Sequence, residues 1–199
     1  MRSDLQRILV DADAIARRVD ELACQITDDL DRLDHGGRVT LVPILTGSII
    51  FVADLIRRLP QPMQIHLISV SSYPGTATAS RGAKIDAALT NVPADLTDRV
   101  VLLIDDILDS GNTFRAVTDE LGRRNPLALR TAALLRKQRP EAMGFPVDYV
   151  GFDIPDEFVV GYGLDFDGFY RNLPDIGVLK PAVIAAGQAD AGDVPGARS

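Results

Sequence analysis

The sequence predicts an α/β chain, a mostly parallel twisted sheet flanked by helices with a small hood lobe. Three observations predict it. Val100 to Ile104 is an unbroken apolar run, as expected of a strand buried on both faces inside a parallel sheet. A polar turn, Asp109-Ser110-Gly111-Asn112-Thr113, leads from it into an amphipathic stretch that starts Phe114, Val117, Leu121. Val39 to Leu45 repeats the same order, passing through Thr46-Gly47-Ser48 into an apolar helix. Strand, short turn and helix in alternation imply βα units around one sheet.

In chain order, residues 11 to 30 are predicted helical. Ile15, Val19, Leu22, Ile26 and Leu30 recur at spacings of three or four, and Asp11 or Asp13 can cap the start. Cys24 lies off that stripe and reads as a small structural residue. Asp34-His35-Gly36-Gly37 is a turn, with His35 solvated. After the strand at 39–45, a helix from about Ser48 to Leu59 has Ser48 as its expected N-cap. Ile65 to Val70 is a strand containing His66, and Ser71 to Lys84 is a long loop of small polar residues, a length that usually carries function. Beyond the 114–124 helix come strands at 127–135, 147–152 and 157–162. Pro155 and the aromatic-rich final third account for the hood. From Pro181 the chain loses periodicity, so residues 1–180 are expected to form one domain, with a hood from the two ends, and 181–199 a disordered tail.

Composition removes several classes of function. A net charge of −7 argues against general nucleic-acid binding, which needs a basic face. With Cys24 as the single cysteine, neither an internal disulfide nor a cysteine-based zinc site can form. Met1 to Val10 is polar and charged, unlike a signal peptide, and no apolar run reaches membrane-span length, so a cytoplasmic protein without a membrane partner is expected. Neither a P-loop nor a dinucleotide fingerprint is present; in Gly161-Tyr-Gly163-Leu-Asp165-Phe166 a phenylalanine stands where the third glycine belongs.

What remains is the stretch from Val100 to Thr113. The first N–H groups of a helix have no intrahelical partners, and the helix dipole adds positive charge, so the turn before it suits an anion. Gly111 permits close backbone approach, while Ser110 and Thr113 add hydroxyl donors. Asp105 and Asp106 sit where the strand should end, placed for sugar hydroxyls or a hard cation such as Mg²⁺. A sugar phosphate satisfies both halves. An acidic turn capping an ordinary helix at Asp109 or Ser110 is the plain structural alternative.

Two acids, two apolar residues and Asp-Ser-Gly-x-Thr after a buried strand resemble the phosphoribosyl-diphosphate motif of the type I phosphoribosyltransferases. A second stretch, Val150 to Asp165 followed by Tyr170-Arg171-Asn172-Leu173-Pro174, resembles the nucleobase end of the hypoxanthine–guanine branch of that family. With Ser72-Tyr73 the resemblance runs from about Val39 to Leu179. It implies the type I phosphoribosyltransferase fold and Mg²⁺-dependent transfer of 5-phosphoribosyl from phosphoribosyl diphosphate to N9 of hypoxanthine or guanine. IMP or GMP and pyrophosphate would be the products, in purine salvage, and the family implies a homodimer or homotetramer.

Residue by residue, the resemblance implies that Ser110, Gly111, Asn112 and Thr113 hold the 5′-phosphate, and that Thr46 and Gly47 form the pyrophosphate loop. Asp105 and Asp106 would hold the ribose hydroxyls with metal alongside, Asp165 would be a further metal-associated acid, and Arg171 would contact pyrophosphate. Lys137 would donate to the 6-oxo group, Phe158 would stack on the purine, and Val159 would meet the base through its backbone. Ser72 and Tyr73 would open a lid spanning Ser71 to Lys84. Asp109 would take the proton from N7. An unperturbed aspartate lies roughly three units below neutrality, so that role leans either on burial or on electrostatic stabilisation of the migrating proton. Two departures stand out. The family usually has Glu where this chain has Asp105, one methylene shorter, and many relatives carry a basic residue where Thr46 stands. Competing readings are a xanthine-preferring enzyme and a nucleotide-sensing regulator that binds RNA on the same fold; the acidic balance disfavours the second.

Overall fold

The computed structural model describes residues 1–33, 36–71, 84–85 and 91–191. Ser72 and Tyr73, most of the expected lid and residues 192–199 lie outside the described residues. The chain divides into two compact units, Met1–Ile15 with Glu157–Ser199, and Ala16–Asp156.

The larger unit is the sheet. Its strands are β2 (Val39–Leu45), β3 (Met63–Ile65), β4 (Ile68–Ser71), β5 (Lys84–Ile85), β6 (Val100–Leu108), β7 (Ala128–Lys137) and β8 (Tyr149–Ile154), numbered after β1 (Leu5–Val10) of the other unit. They run in the order β5-β4-β2-β6-β7-β8, with β3 also paired to β2, and every pairing is parallel except β4 with β5. The central strand β6 is apolar from Val100 to Ile104 and buried throughout that run. It continues to Leu108, four residues past Ile104, because the long neighbour β7 keeps pairing with it: Asp105 faces Ala133 and Leu108 faces Arg136. Asp105 and Asp106 therefore stand inside the ladder and not, as their polarity suggests, where the strand ends.

The helices of this unit are α1 (Ala12–Arg32), α2 (Ile49–Ile56), α3 (Asn112–Gly122) and the single turn α4 (Pro140–Met143). The stripe expected on α1 is buried, from Ile15 through Leu30. Asp11 caps it, accepting the Ala14 N–H at 2.8 Å. Asp29 near its other end accepts from the Tyr149 hydroxyl at 2.7 Å and from Arg130 Nε at 3.1 Å, which ties α1 to β7 and β8. Those two donors hold the Asp29 carboxyl below its ordinary pKa, the tyrosine bond most of all. Phe114, Val117 and Leu121 of α3 pack with Val101, Leu103 and Ala133 of the sheet.

Two local expectations are corrected. His66 falls in the break between β3 and β4, where its Nδ1 lies 3.0 Å from the Asn91 carbonyl. The Asn91 side chain accepts the Leu67 N–H at 2.8 Å, so the segment at 67 and its return at 91 are tied together. Ser48 precedes α2, but its hydroxyl donates back to the Ile44 carbonyl and caps nothing.

The smaller unit pairs β1 antiparallel with β10 (Ile176–Leu179), and β10 with β9 (Val159–Val160). Its final helix, α5 (Pro181–Ala191), occupies residues expected to be disordered. Alanine is the strongest helix former and proline is tolerated in a first turn, while the missing apolar period hid the helix. Val183 and Ile184 pack against Leu5, Val160, Leu173 and Leu179. Among the described residues no helix is long and apolar enough to cross a membrane.

Candidate functional site

The C-terminal end of β6 and the start of α3 enclose a cavity of about 220 Å³, lined by Ile44, Val70 and every residue from Asp105 to Phe114. Here the chain turns from strand to helix through Gly111, whose φ of 78° is left-handed and sits before the first helical residue. A Cβ at Gly111 would also stand 3.2 Å from the Phe145 side chain. Gly111 is the N-cap of α3 and no side chain caps it, so neither Asp109 nor Ser110 serves that purpose. The first N–H groups of a helix lack intrahelical partners, and residues 112 to 114 at the start of α3 line the cavity, an arrangement suited to an anion.

The second glycine turn closes on the same place. Leu45–Thr46 is a cis peptide, and Gly47 follows. A Cβ at Gly47 would lie 1.7 Å from Asp106 Oδ2 and 2.5 Å from its Cγ. The missing side chain is what lets the Asp106 carboxylate reach over this loop. Thr46, Gly47 and Asp106 are thus brought together by β2 and β6, which are adjacent in the sheet.

Asp105 is buried, and its Oδ1 accepts the Asp106 N–H at 3.0 Å. Burial pushes its carboxyl well above the ordinary carboxylate range, and the Asp106 charge pushes the same way; the backbone bond opposes both. A cation meets that demand, because two adjacent carboxylates ionise together more easily when positive charge lies between them. Among the described residues no group of three metal-ligating side chains converges. Mg²⁺ commonly takes one or two carboxylates and completes its shell with water and substrate oxygens, so this pair fits it.

The raised value has a consequence for stability. The native state holds a proton on Asp105 at pH values where the unfolded chain has released it, so this contribution is complete below about pH 4 and is lost as pH rises through the folded value. Asp105→Asn should therefore raise the melting temperature at pH 7.5 in metal-free buffer by about 2–4 °C, the shift that about 1 kcal/mol produces in a chain of this size. Calorimetry checks it; an unchanged or lowered melting temperature would show that Asp105 is not carrying an electrostatic burden.

Asp109 and Lys137 also meet. Lys137 Nζ lies 3.3 Å from Asp109 Oδ2 and 3.2 Å from Asp156 Oδ1. Arg139 Nη1 lies 2.7 Å from Asp109 Oδ1, and its Nε 3.5 Å from Asp156 Oδ2. The sequence reading did not single out Arg139 or Asp156. They are brought in by the parallel register of β7 with β8, which sets Lys137 opposite Ile154 and brings the residues just past both strand ends together.

The remaining expected residues belong to the smaller unit. Val159 is buried in β9, whereas Phe158 is exposed at 43% and meets Phe166 edge-on at 5.5 Å. Between Gly161 and Leu173 the backbone doubles back, Tyr162 donating to the Leu173 carbonyl and Gly163 to that of Arg171. Asp165 sits in that fold: its Oδ1 pairs with Arg171 Nη2 at 2.8 Å and its Oδ2 accepts the Gly168 N–H at 2.8 Å. Arg171 Nη1 donates to the Gly163 carbonyl at 2.6 Å. The expected metal acid and the expected pyrophosphate contact are each other's partners here.

Comparison with known proteins agrees with this architecture. Residues 6–167 match the phosphoribosyl transferase domain profile. The chain is 41% identical over 182 residues to hypoxanthine-guanine phosphoribosyltransferase of Mycobacterium tuberculosis, covering 90% of this chain and 89% of that protein. It is 39% identical over 170 residues to hypoxanthine phosphoribosyltransferase of Salmonella typhimurium, covering 85% and 93%. The crystal structure of a hypoxanthine phosphoribosyltransferase from Staphylococcus aureus superposes with a TM-score of 0.81 at 38% identity, over 92% of this chain and 96% of that one. A parallel sheet with an acidic strand end and a glycine-capped helix, matched over nine-tenths of its length by such proteins, places the chain in the phosphoribosyltransferase family.

Proposed function

We propose that this protein is a hypoxanthine phosphoribosyltransferase that transfers 5-phosphoribosyl from phosphoribosyl diphosphate to N9 of an oxopurine in purine salvage. The observation that carries the reading is the juxtaposition at the end of β6: a glycine-capped turn at 110–113, an acid pair at 105 and 106, and Asp109 with Lys137 beside them. Its relatives' names supply the acceptor.

In this reading the α3 N-terminus, with Ser110 and Thr113, binds the 5′-phosphate. Asp105 and Asp106 bind the ribose hydroxyls, and Thr46 and Gly47 present backbone N–H groups to pyrophosphate. Asp105 and Asp106 would hold Mg²⁺, with Asp165 as a further metal-associated acid, and the ion would supply charge neutralisation for the leaving group. As the glycosidic bond to pyrophosphate breaks, the anomeric carbon becomes cationic, and Asp109 accepts the N7 proton and stabilises that charge. Both Asp109 oxygens already accept from cations, yet each retains a second lone pair for the incoming N–H. Phe158 stacks on the ring, which contributes about 1–3 kcal/mol, Val159 meets its edge through the backbone, and Arg171 supplies a planar fork for pyrophosphate oxygens. Ser72 and Tyr73 belong to the same proposal as substrate-binding residues.

Base choice follows from Lys137. An ammonium offers donors only, so it complements the 6-oxo group of hypoxanthine and guanine and opposes the 6-amino group of adenine. Incubation with phosphoribosyl diphosphate and Mg²⁺ should yield nucleotide from hypoxanthine and guanine and none from adenine, read by absorbance and chromatography; transfer to adenine alone would overturn it. A cytoplasmic setting and a homodimer or homotetramer complete the proposal, and light scattering after gel filtration reads the assembly.

A further inference from the structure

Four charged side chains at or just past the ends of β6, β7 and β8 form a closed ring of alternating sign. Going round it, Asp109 Oδ2 meets Lys137 Nζ at 3.3 Å, Lys137 meets Asp156 Oδ1 at 3.2 Å, Asp156 Oδ2 meets Arg139 Nε at 3.5 Å, and Arg139 Nη1 returns to Asp109 Oδ1 at 2.7 Å. Lys137 is the least exposed of the four, at 12% of its side chain, against 38% for Arg139, 47% for Asp109 and 49% for Asp156. The backbone beneath is fixed as well: Gln138 donates to the Ile154 carbonyl at 2.8 Å and Arg139 to the Lys137 carbonyl at 2.8 Å.

An isolated pair at such exposure contributes little to stability. Geometry is where the ring matters. An ammonium has three N–H bonds in tetrahedral array and rotates freely on its stem. One of them donates to Asp109 Oδ2 at 3.3 Å, and the Asp156 carboxylate, 3.2 Å from Nζ, anchors the ammonium by charge. The other two donors are left for a ligand carbonyl. Arg139 acts on the opposite side: its Nη1 donates to Asp109 Oδ1, while Asp156 Oδ2 lies at ion-pair distance from its Nε.

We propose that Asp156 and Arg139 are positioning residues, Asp156 holding the Lys137 ammonium in place for the acceptor base and Arg139 fixing the carboxylate plane of Asp109. The inference rests on the reading of Lys137 and Asp109 given above. It assigns the two residues separable effects. Asp156 acts on base binding, because an ammonium it no longer holds keeps its charge but shifts away from the base. Arg139 acts on the proton-accepting step, because Asp109 is held only from one side without it.

The test is a kinetic comparison of the wild type with Asp156→Asn, Arg139→Gln, Lys137→Gln and the double variant D156N/K137Q. Asp156→Asn should raise KM for hypoxanthine about tenfold, the loss expected of one charge-assisted hydrogen bond, while KM for phosphoribosyl diphosphate stays within about twofold. In the Lys137→Gln background the same change should add nothing, since residues acting through one another are non-additive. Asp156→Glu, which keeps the carboxylate, should recover most of the loss. Arg139→Gln should lower kcat about fivefold with KM for hypoxanthine within about twofold. Equal changes in both KM values, full additivity with Lys137→Gln, or a loss confined to melting temperature would overturn the inference. A wild type that converts no oxopurine would instead overturn the functional reading, and with it the roles of Lys137 and Asp109 on which this inference stands.

Discussion

Asp109→Asn is expected to lower kcat by about 100-fold or more, the scale of a positioned proton acceptor, while KM for phosphoribosyl diphosphate stays within about threefold. The substitution keeps the size of the side chain and an oxygen that can accept from Arg139 or Lys137. What it removes is the charge. The turn at 110–113, proposed to hold the 5′-phosphate, is set by Gly111 and the α3 N-terminus, neither of which depends on Asp109. Binding of the sugar phosphate should therefore survive while the step that needs a proton acceptor and a counter-charge to the cationic sugar fails. Steady-state kinetics with each substrate varied separates the two; a kcat near that of the wild type would remove Asp109 from the chemistry.

Gly47→Ala is expected to lower kcat/KM for phosphoribosyl diphosphate by about 10- to 100-fold, because displacing a positioned group by about an ångström costs that much. The φ of Gly47 is not in the left-handed region, so alanine is compatible with the backbone. The obstacle is Asp106, whose Oδ2 would be 1.7 Å from the new carbon. A carboxylate on a short side chain can swing away, so the fold should tolerate the change and the melting temperature should fall by no more than about 4 °C. Loss of activity with the fold retained would place the effect on Asp106. Unchanged kinetics would mean that neither the Gly47 turn nor the carboxylate it admits matters to the donor.

How far the sequence revealed this site depends on distance along the chain. The turn at 109–113 and the acid pair were legible because one contiguous stretch holds the apolar strand, the acids and the helix start. Gly47 was legible as a turn, but its contact with Asp106 required knowing that β2 lies beside β6. Arg139 and Asp156 were silent, each just past a strand end and carrying no period. In the fold, the α1 stripe and the apolar core of β6 followed from periodicity and composition. β1 and β10 did not, because register shifts between Leu5 and Arg7 and between Ile8 and Val10 break the alternation that marks a half-buried strand. The acids of β6 misled for a related reason: polarity marked an end, yet the length of β7 decided where pairing stopped.

Product analysis is the most direct measurement of the central claim. Purified protein with hypoxanthine, phosphoribosyl diphosphate and Mg²⁺ should form IMP and pyrophosphate in equal amounts, quantified by chromatography and mass. Pyrophosphate without IMP, or no turnover of either substrate, would contradict the account.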